Sequence, residues 1–245
     1  MRGLAPLTDF DAAIIDLDGT MVDTLGDFVA ALNLMLGDLN LPDHPQLARS
    51  TVEPMVGRGS ENLIKSVLNH LEVQYLRGQT APESIAISSV QTFEAAFASY
   101  QKHYLAINGQ HSQVYPGVIQ GLQGLLRSGL KLACLTNKPL AFAQALLKRK
   151  GLDGFFSQVF GGDSFERKKP DPMPLLKTCE ALGSLPARTL MVGDSSNDAQ
   201  AARVAGCPVL LVTYGYNHGE PIRSVDADGF IHSLADLPLL AKYLA

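Results

Sequence analysis

The chain has 245 residues, 20 Lys and Arg against 24 Asp and Glu, and 46% hydrophobic residues, a composition that excludes disordered, fibrous and disulfide-stapled proteins. A chain of this length removes about 70% of its unfolded surface from water and accommodates one large domain or two unequal lobes. The net charge of −4 comes without a basic face, so nucleic acid is not an expected partner. No apolar stretch nears about 18 residues and the start lacks a signal-peptide pattern, so neither a membrane span nor export is expected. Cys134, Cys179 and Cys207 are odd in number, far apart in sequence and set among apolar neighbours, which reads as buried thiols in a reducing cytoplasm.

In chain order, Ala12 to Ile15 is the first short apolar run and predicts a buried strand. From about Thr24 to His111 the pattern is helical: Phe28, Leu32, Met35 and Leu39, then Leu63, Val67 and Leu71, then Phe93, Phe97, Tyr100 and Tyr104 recur at helix spacing. Gln79 to Ser89, small and polar, predicts a loop between helices. Beyond it, strands predicted at Leu130 to Leu135, Val159 to Phe160, Leu190 to Val192 and Val209 to Val212 alternate with helices. Those helices are predicted at Val118 to Arg127, Leu140 to Lys150, Pro172 to Leu182 and Asn197 to Ala205. Lys148-Arg149-Lys150 before Gly151 reads as a helix C-terminus, with cations complementing the dipole. Such alternation predicts an α/β fold with a doubly wound parallel sheet, interrupted by an all-helical insert.

Asp16-Leu17-Asp18-Gly19-Thr20 follows the first strand directly. Both carboxylates therefore sit at its C-terminal end, where open α/β sheets bind ligands. Two acids one residue apart repel, which calls for a cation, and hard oxygen ligands favour Mg²⁺. Gly193-Asp194-Ser195-Ser196-Asn197-Asp198 repeats the situation after Leu190 to Val192, although Asp198 there would equally offset a helix dipole. Thr136 and Asn137 end a third strand, and Lys168-Lys169-Pro170 supplies cations in a proline-stiffened loop. Each pattern is modest alone; four of them at one sheet edge form a site.

These four motifs resemble those of the haloacid dehalogenase-like phosphohydrolases, and the match spans the chain. The resemblance implies a Rossmann-like core over residues 1–23 and 112–245, with a helical cap over 24–111. Val56-Gly57-Arg58-Gly59 and Tyr214-Gly215-Tyr216-Asn217 are similar to the phosphoglycolate phosphatase branch. It further implies that Asp16 attacks phosphorus to form an aspartyl-phosphate and that Asp18 serves as acid, then base. Mg²⁺ is then held by Asp16, the Asp18 carbonyl and Asp194, with Gly19 and Thr20 in support. Thr136, the Asn137 N–H and Lys169 then bind phosphate oxygens, and Asp198 orients Lys169 or a metal-bound water. Asp18 favours an ester substrate, because an ester oxygen leaves with a proton.

The expected activity is hydrolysis of a small phosphorylated metabolite, foremost 2-phosphoglycolate, in the cytoplasm, by a monomer or small homo-oligomer. Alternatives are another small-phosphate hydrolase, a sugar phosphomutase of the same fold, or a non-catalytic phosphate-binding regulator. Arg58, between two glycines, is the expected reader of a substrate carboxylate when the cap closes.

Overall fold

The computed structural model describes residues 7–39, 46–78 and 90–240. Strand β1 (Ala12–Ile15) is four apolar residues, all fully buried, as a strand covered on both faces must be. Ala13 and Ile15 enter one core cluster while Ala12 and Ile14 enter another, following the two-residue alternation of a strand. The other strands are β2 (Val22–Asp23), β3 (Gln113–Val114), β4 (Lys131–Leu135), β5 (Gln158–Phe160), β6 (Thr189–Gly193), β7 (Val209–Val212) and β8 (Gly229–Ile231). Six of them form a sheet in the order β5-β4-β1-β6-β7-β8, with every pair parallel.

The chain builds outward from β1 through β4 to β5, then returns to β6 on the other side of β1. That reversal places the carboxyl ends of β1, β4 and β6 around one crevice, the topological switch point where such sheets bind ligands. Crossover helices α5 (Val118–Arg127) and α6 (Leu140–Arg149) cover one face, while α7 (Met173–Leu182) and α8 (Ser196–Ala205) cover the other. All four match the expected helices to within a residue or two at their ends, the usual scatter of helix boundaries.

Between β2 and β3 lie α1 (Leu25–Asp38), α2 (Arg49–Val52), α3 (Ser60–Gly78) and α4 (Val90–Ile107). They share a core cluster that includes Phe28, Leu32, Met35, Leu63, Val67, Leu71, Tyr100 and Tyr104, the stripes expected from their spacing, and that Phe142 of α6 and Tyr216 also join. The loop expected over 79–89 lies outside the described residues. Strands β2 and β3 pair antiparallel, Val22 with Val114, so the chain leaves and re-enters the sheet region through one two-stranded ribbon. Asp27 reinforces that junction: its carboxylate accepts the Gly109 N–H at 2.8 Å and the His111 N–H at 2.7 Å.

The basic run at the end of α6 does more than complement a dipole. Gly151 takes the left-handed conformation after the helix, as expected. Arg149 and Lys150 also donate to the carbonyls of Asn108, Gly109 and Ser112, fixing the returning strand of the insert to the core. All three cysteines are free and buried, and the fold brings the Cys179 and Cys207 sulfurs to 3.9 Å.

Candidate active site

Asp16 is the first residue past β1, and Thr136 and Asn137 follow β4. Asp194 follows β6, and Asp198 lies in the first turn of α8. The parallel sheet brings them together, and Lys169 enters from the loop before α7 as a nearly fully buried ammonium. Its Nζ lies 2.8 Å from Asp16 Oδ1 and 2.7 Å from Asp198 Oδ1, and donates to the Leu135 carbonyl at 2.8 Å. Lys168, the neighbouring cation, lines an outer cleft instead.

Asp198 is fully engaged. Its second oxygen accepts the N–H groups of Asp194 and Ser195 and the Ser195 hydroxyl, closing a capping box at the start of α8. The dipole-capping reading and the lysine-orienting reading thus both describe this one carboxylate. Asp194 accepts the Tyr216 N–H at 2.7 Å and the Thr20 hydroxyl at 3.3 Å. It fits because two neighbours lack side chains: a Cβ on Gly19 would lie 2.3 Å from its Oδ2, and one on Gly215 would lie 2.1 Å from its Cβ.

Asp16, Asp194 and Asp198 offer carboxylate oxygens within 4.8 Å of one another, all buried. Burial pushes Asp16 up to about 7 against the opposing pull of Lys169. Burial likewise drives Asp194 well above the carboxylate range, with the charges of Asp198 and Asp16 adding to it. Attraction to Asp16 and Asp198 outweighs burial at Lys169 and holds its proton tightly. Three buried acids against one ammonium leave an excess of negative charge that a hard divalent cation would balance. Since Asp198 is saturated by hydrogen bonds, Asp16 and Asp194 are the carboxylates open to such an ion.

The helical insert roofs the site. A cavity of about 40 Å³ is floored by Asp16, Asp18, Thr136 and Lys169 and walled by Phe28 and Leu63 of the insert. That is room for at least one water, enclosed between the sheet edge and the insert. Core side chains hold the loop between α2 and α3 over it: Asn137 and Asn197 both donate to the Gly57 carbonyl, at 3.0 and 3.1 Å, and His218 Nδ1 lies 2.8 Å from the Val56 carbonyl. Gly57 and Gly59 take positive φ, +106° and +88°, so the expected tight turn is present.

The structure gathers Asp16, Asp18, Thr136, Asn137, Lys169, Asp194 and Asp198 around this cavity, with Gly19 and Thr20 against Asp194. It does not bring Arg58 there. Arg58 is exposed and lines the outer cleft with Lys65 and Lys168, because the turn aims the Gly57 carbonyl, not the guanidinium, at the core. The Asn137 side-chain amide bonds the Lys169 carbonyl at 2.8 Å besides Gly57, a contact separate from its backbone N–H.

Sequence reasoning missed Lys138. Its buried ammonium meets Asp18 Oδ1 at 2.8 Å, with the rings of Phe28 and Tyr104 at 4.6 and 4.8 Å. It also missed what Tyr216 does, since the phenol accepts the Thr24 and Leu25 N–H groups at the start of α1 and donates to Asp23. The signal for Lys138 was its adjacency to Thr136 and Asn137.

A switch-point crevice holding two carboxylates after β1, a hydroxyl after β4, a buried lysine and an acidic anchor after β6 marks an enzyme site able to hold a divalent cation beside an anionic group. The chain belongs to the haloacid dehalogenase-like hydrolases, whose family profile matches residues 13–212. It is 42% identical over 229 residues to a phosphoglycolate phosphatase of Thiobacillus denitrificans, covering 94% of each chain. Against one from Cupriavidus necator it is 42% identical over 236 residues, 96% of this chain and 92% of that one. The crystal structure of a predicted phosphoglycolate phosphatase from Haemophilus somnus shares the fold with a TM-score of 0.83 and 32% identity, covering 94% of this chain and 96% of that one.

Proposed function

We propose that this hydrolase is a Mg²⁺-dependent phosphatase of small phosphate monoesters, with 2-phosphoglycolate as its substrate. The observation that carries the reading is the pairing of Asp16 and Asp18 on one loop at the floor of the cavity under the cap, beside Thr136 and Lys169. The names of the relatives support the choice of substrate. Residues 24–111 act as the cap over a core of 1–23 and 112–245, a division supported by the β2–β3 ribbon at the junction.

An Asp16 oxygen attacks phosphorus, the ester bond breaks, and Asp18 gives its proton to the departing alkoxide. Asp18 then takes a proton from water as that water attacks the aspartyl-phosphate, and Asp16 is released. Lys169, held by Asp198, faces the phosphoryl oxygens together with Thr136 and the Asn137 N–H, stabilising charge that develops on them. Asp16, the Asp18 carbonyl and Asp194 would hold Mg²⁺, which when bound offsets the negative charge of nucleophile and phosphoryl group together. The closed cap excludes bulk water from the intermediate.

A turnover screen of small phosphate esters with Mg²⁺, set against excess chelator, tests the proposal. The expected result is the highest kcat/KM for phosphoglycolate and no turnover in chelator. Higher kcat/KM for sugar phosphates, or conversion of a sugar phosphate to its isomer, would overturn it.

A further inference from the structure

The cavity contains two lysines. Lys169 is spoken for by Asp16, Asp198 and the Leu135 carbonyl. Lys138 is the other, and it stands on the leaving-group side of the site: its ammonium is 2.8 Å from Asp18 Oδ1, the group that serves the departing oxygen. Its side chain is only 3% exposed, and the cap faces it with Phe28 from α1 and Tyr104 from α4. Those rings attract a cation but accept hydrogen bonds poorly, so the ammonium has donors to spare in a place screened from solvent. A carboxylate brought there would gain a charge-assisted hydrogen bond with weak solvent competition.

We infer that Lys138 is the specificity-determining residue that recognises the carboxylate of the leaving group, the role expected of Arg58. The inference rests on the phosphoglycolate reading above. In that substrate the carboxylate carbon is two bonds from the ester oxygen, so an ester oxygen placed at Asp18 carries its carboxylate to the neighbouring ammonium. Arg58, exposed and facing the outer cleft, has no such relation to Asp18. The cap takes part without contributing a charge: closing it brings Phe28 and Tyr104 against Lys138 and dries the contact.

The test compares kcat/KM for phosphoglycolate with that for 2-hydroxyethyl phosphate, which replaces the carboxylate by a neutral CH₂OH group, in wild type, Lys138→Gln and Lys138→Arg. Both substrates lose whatever the positioning of Asp18 is worth when Lys138 becomes Gln. Phosphoglycolate loses a further ten- to a hundredfold, roughly the worth of a charged hydrogen bond, so the preference ratio drops by that factor. Lys138→Arg keeps the charge and restores part of the ratio. Should the Gln variant fail to fold by circular dichroism, Lys138→Met, which keeps the apolar stem against the rings, takes its place. A wild-type ratio near one would overturn the substrate reading and this assignment with it. A wild-type preference for phosphoglycolate that survives intact in the variant would overturn the assignment of Lys138 alone.

Discussion

Replacing Asp16 by Asn separates chemistry from folding more cleanly than any other change in the site. The amide keeps the shape of the carboxylate but removes its charge and nucleophilicity. At an effective dielectric constant of about 20, the ion pair with Lys169 at 2.8 Å is worth about 6 kcal/mol of attraction. Repulsion from Asp198, whose oxygens lie within 4.8 Å, opposes it by about 3 kcal/mol, and burial opposes the remainder, which is why Asp16 is pushed up to about 7. Burial thus outweighs the net attraction and disfavours the charged form of Asp16 in the metal-free protein, while Lys169 keeps Asp198 and the Leu135 carbonyl. Asp16→Asn should therefore melt at the wild-type temperature or above it. Turnover of phosphoglycolate should fall by at least about 10⁴-fold, a barrier increase of about 5.5 kcal/mol, because no other carboxylate can replace the attacking oxygen. Thermal melts and steady-state kinetics on the same preparation decide the matter. Residual activity within about tenfold of wild type would refute Asp16 as nucleophile, and a large loss of stability would refute the charge balance.

What the sequence revealed follows from where the physics is local. Strands such as Ala12 to Ile15 and Val209 to Val212 are buried on both faces and so are apolar throughout, a signal that needs no partner to be read. The acid pairs were legible because their meaning depends on standing just past such a strand. Strands β2, β3 and β8 were not, since two or three residues are too few to show a period of two and, unlike the equally short β5, none of them falls between two predicted crossover helices. Lys138 shows the deeper limit. Its neighbour Asp18 is on another strand's loop and its aromatic neighbours belong to two cap helices, so its place directly after Thr136 and Asn137 is the one sign in the chain that separates it from a solvated lysine. Arg58 shows the converse. The two glycines reported a turn correctly, but which group the turn aims inward was settled by Asn137 and Asn197 reaching for the Gly57 carbonyl.

Asn197→Ala removes one of the two amides on that carbonyl, a neutral hydrogen bond worth about 1 kcal/mol; KM should rise several-fold with little change in thermal stability, and an unchanged KM would show that the contact does not hold the cap. Arg58→Ala should alter kcat/KM for phosphoglycolate by less than about threefold, because the guanidinium is exposed and outside the cavity; a hundredfold loss would return the carboxylate to Arg58. Ca²⁺ should fail to replace Mg²⁺ in turnover, since it takes more and longer oxygen bonds and lets a carboxylate bind through both oxygens; comparable kcat with the two ions would refute Asp16 as at once ligand and nucleophile. The metal should also leave a mark on the pH dependence of stability. In the metal-free protein Asp16 is raised to about 7 by burial, above the ordinary value of 3.8 it has when unfolded. Its protonated form therefore favours the fold: the contribution is complete below about pH 4 and is lost as pH rises through about 7. Asp194 is shifted in the same direction. Mg²⁺ binds the ionised carboxylates and so opposes that loss. The melting temperature of the metal-free protein should fall between pH 5 and pH 8 while that of the Mg²⁺-bound protein falls less, so the gap between them widens with pH. The widening should shrink in Asp16→Asn, which has no proton to lose at that position; a gap independent of pH in the wild type would mean that the buried acids are not where the ion binds.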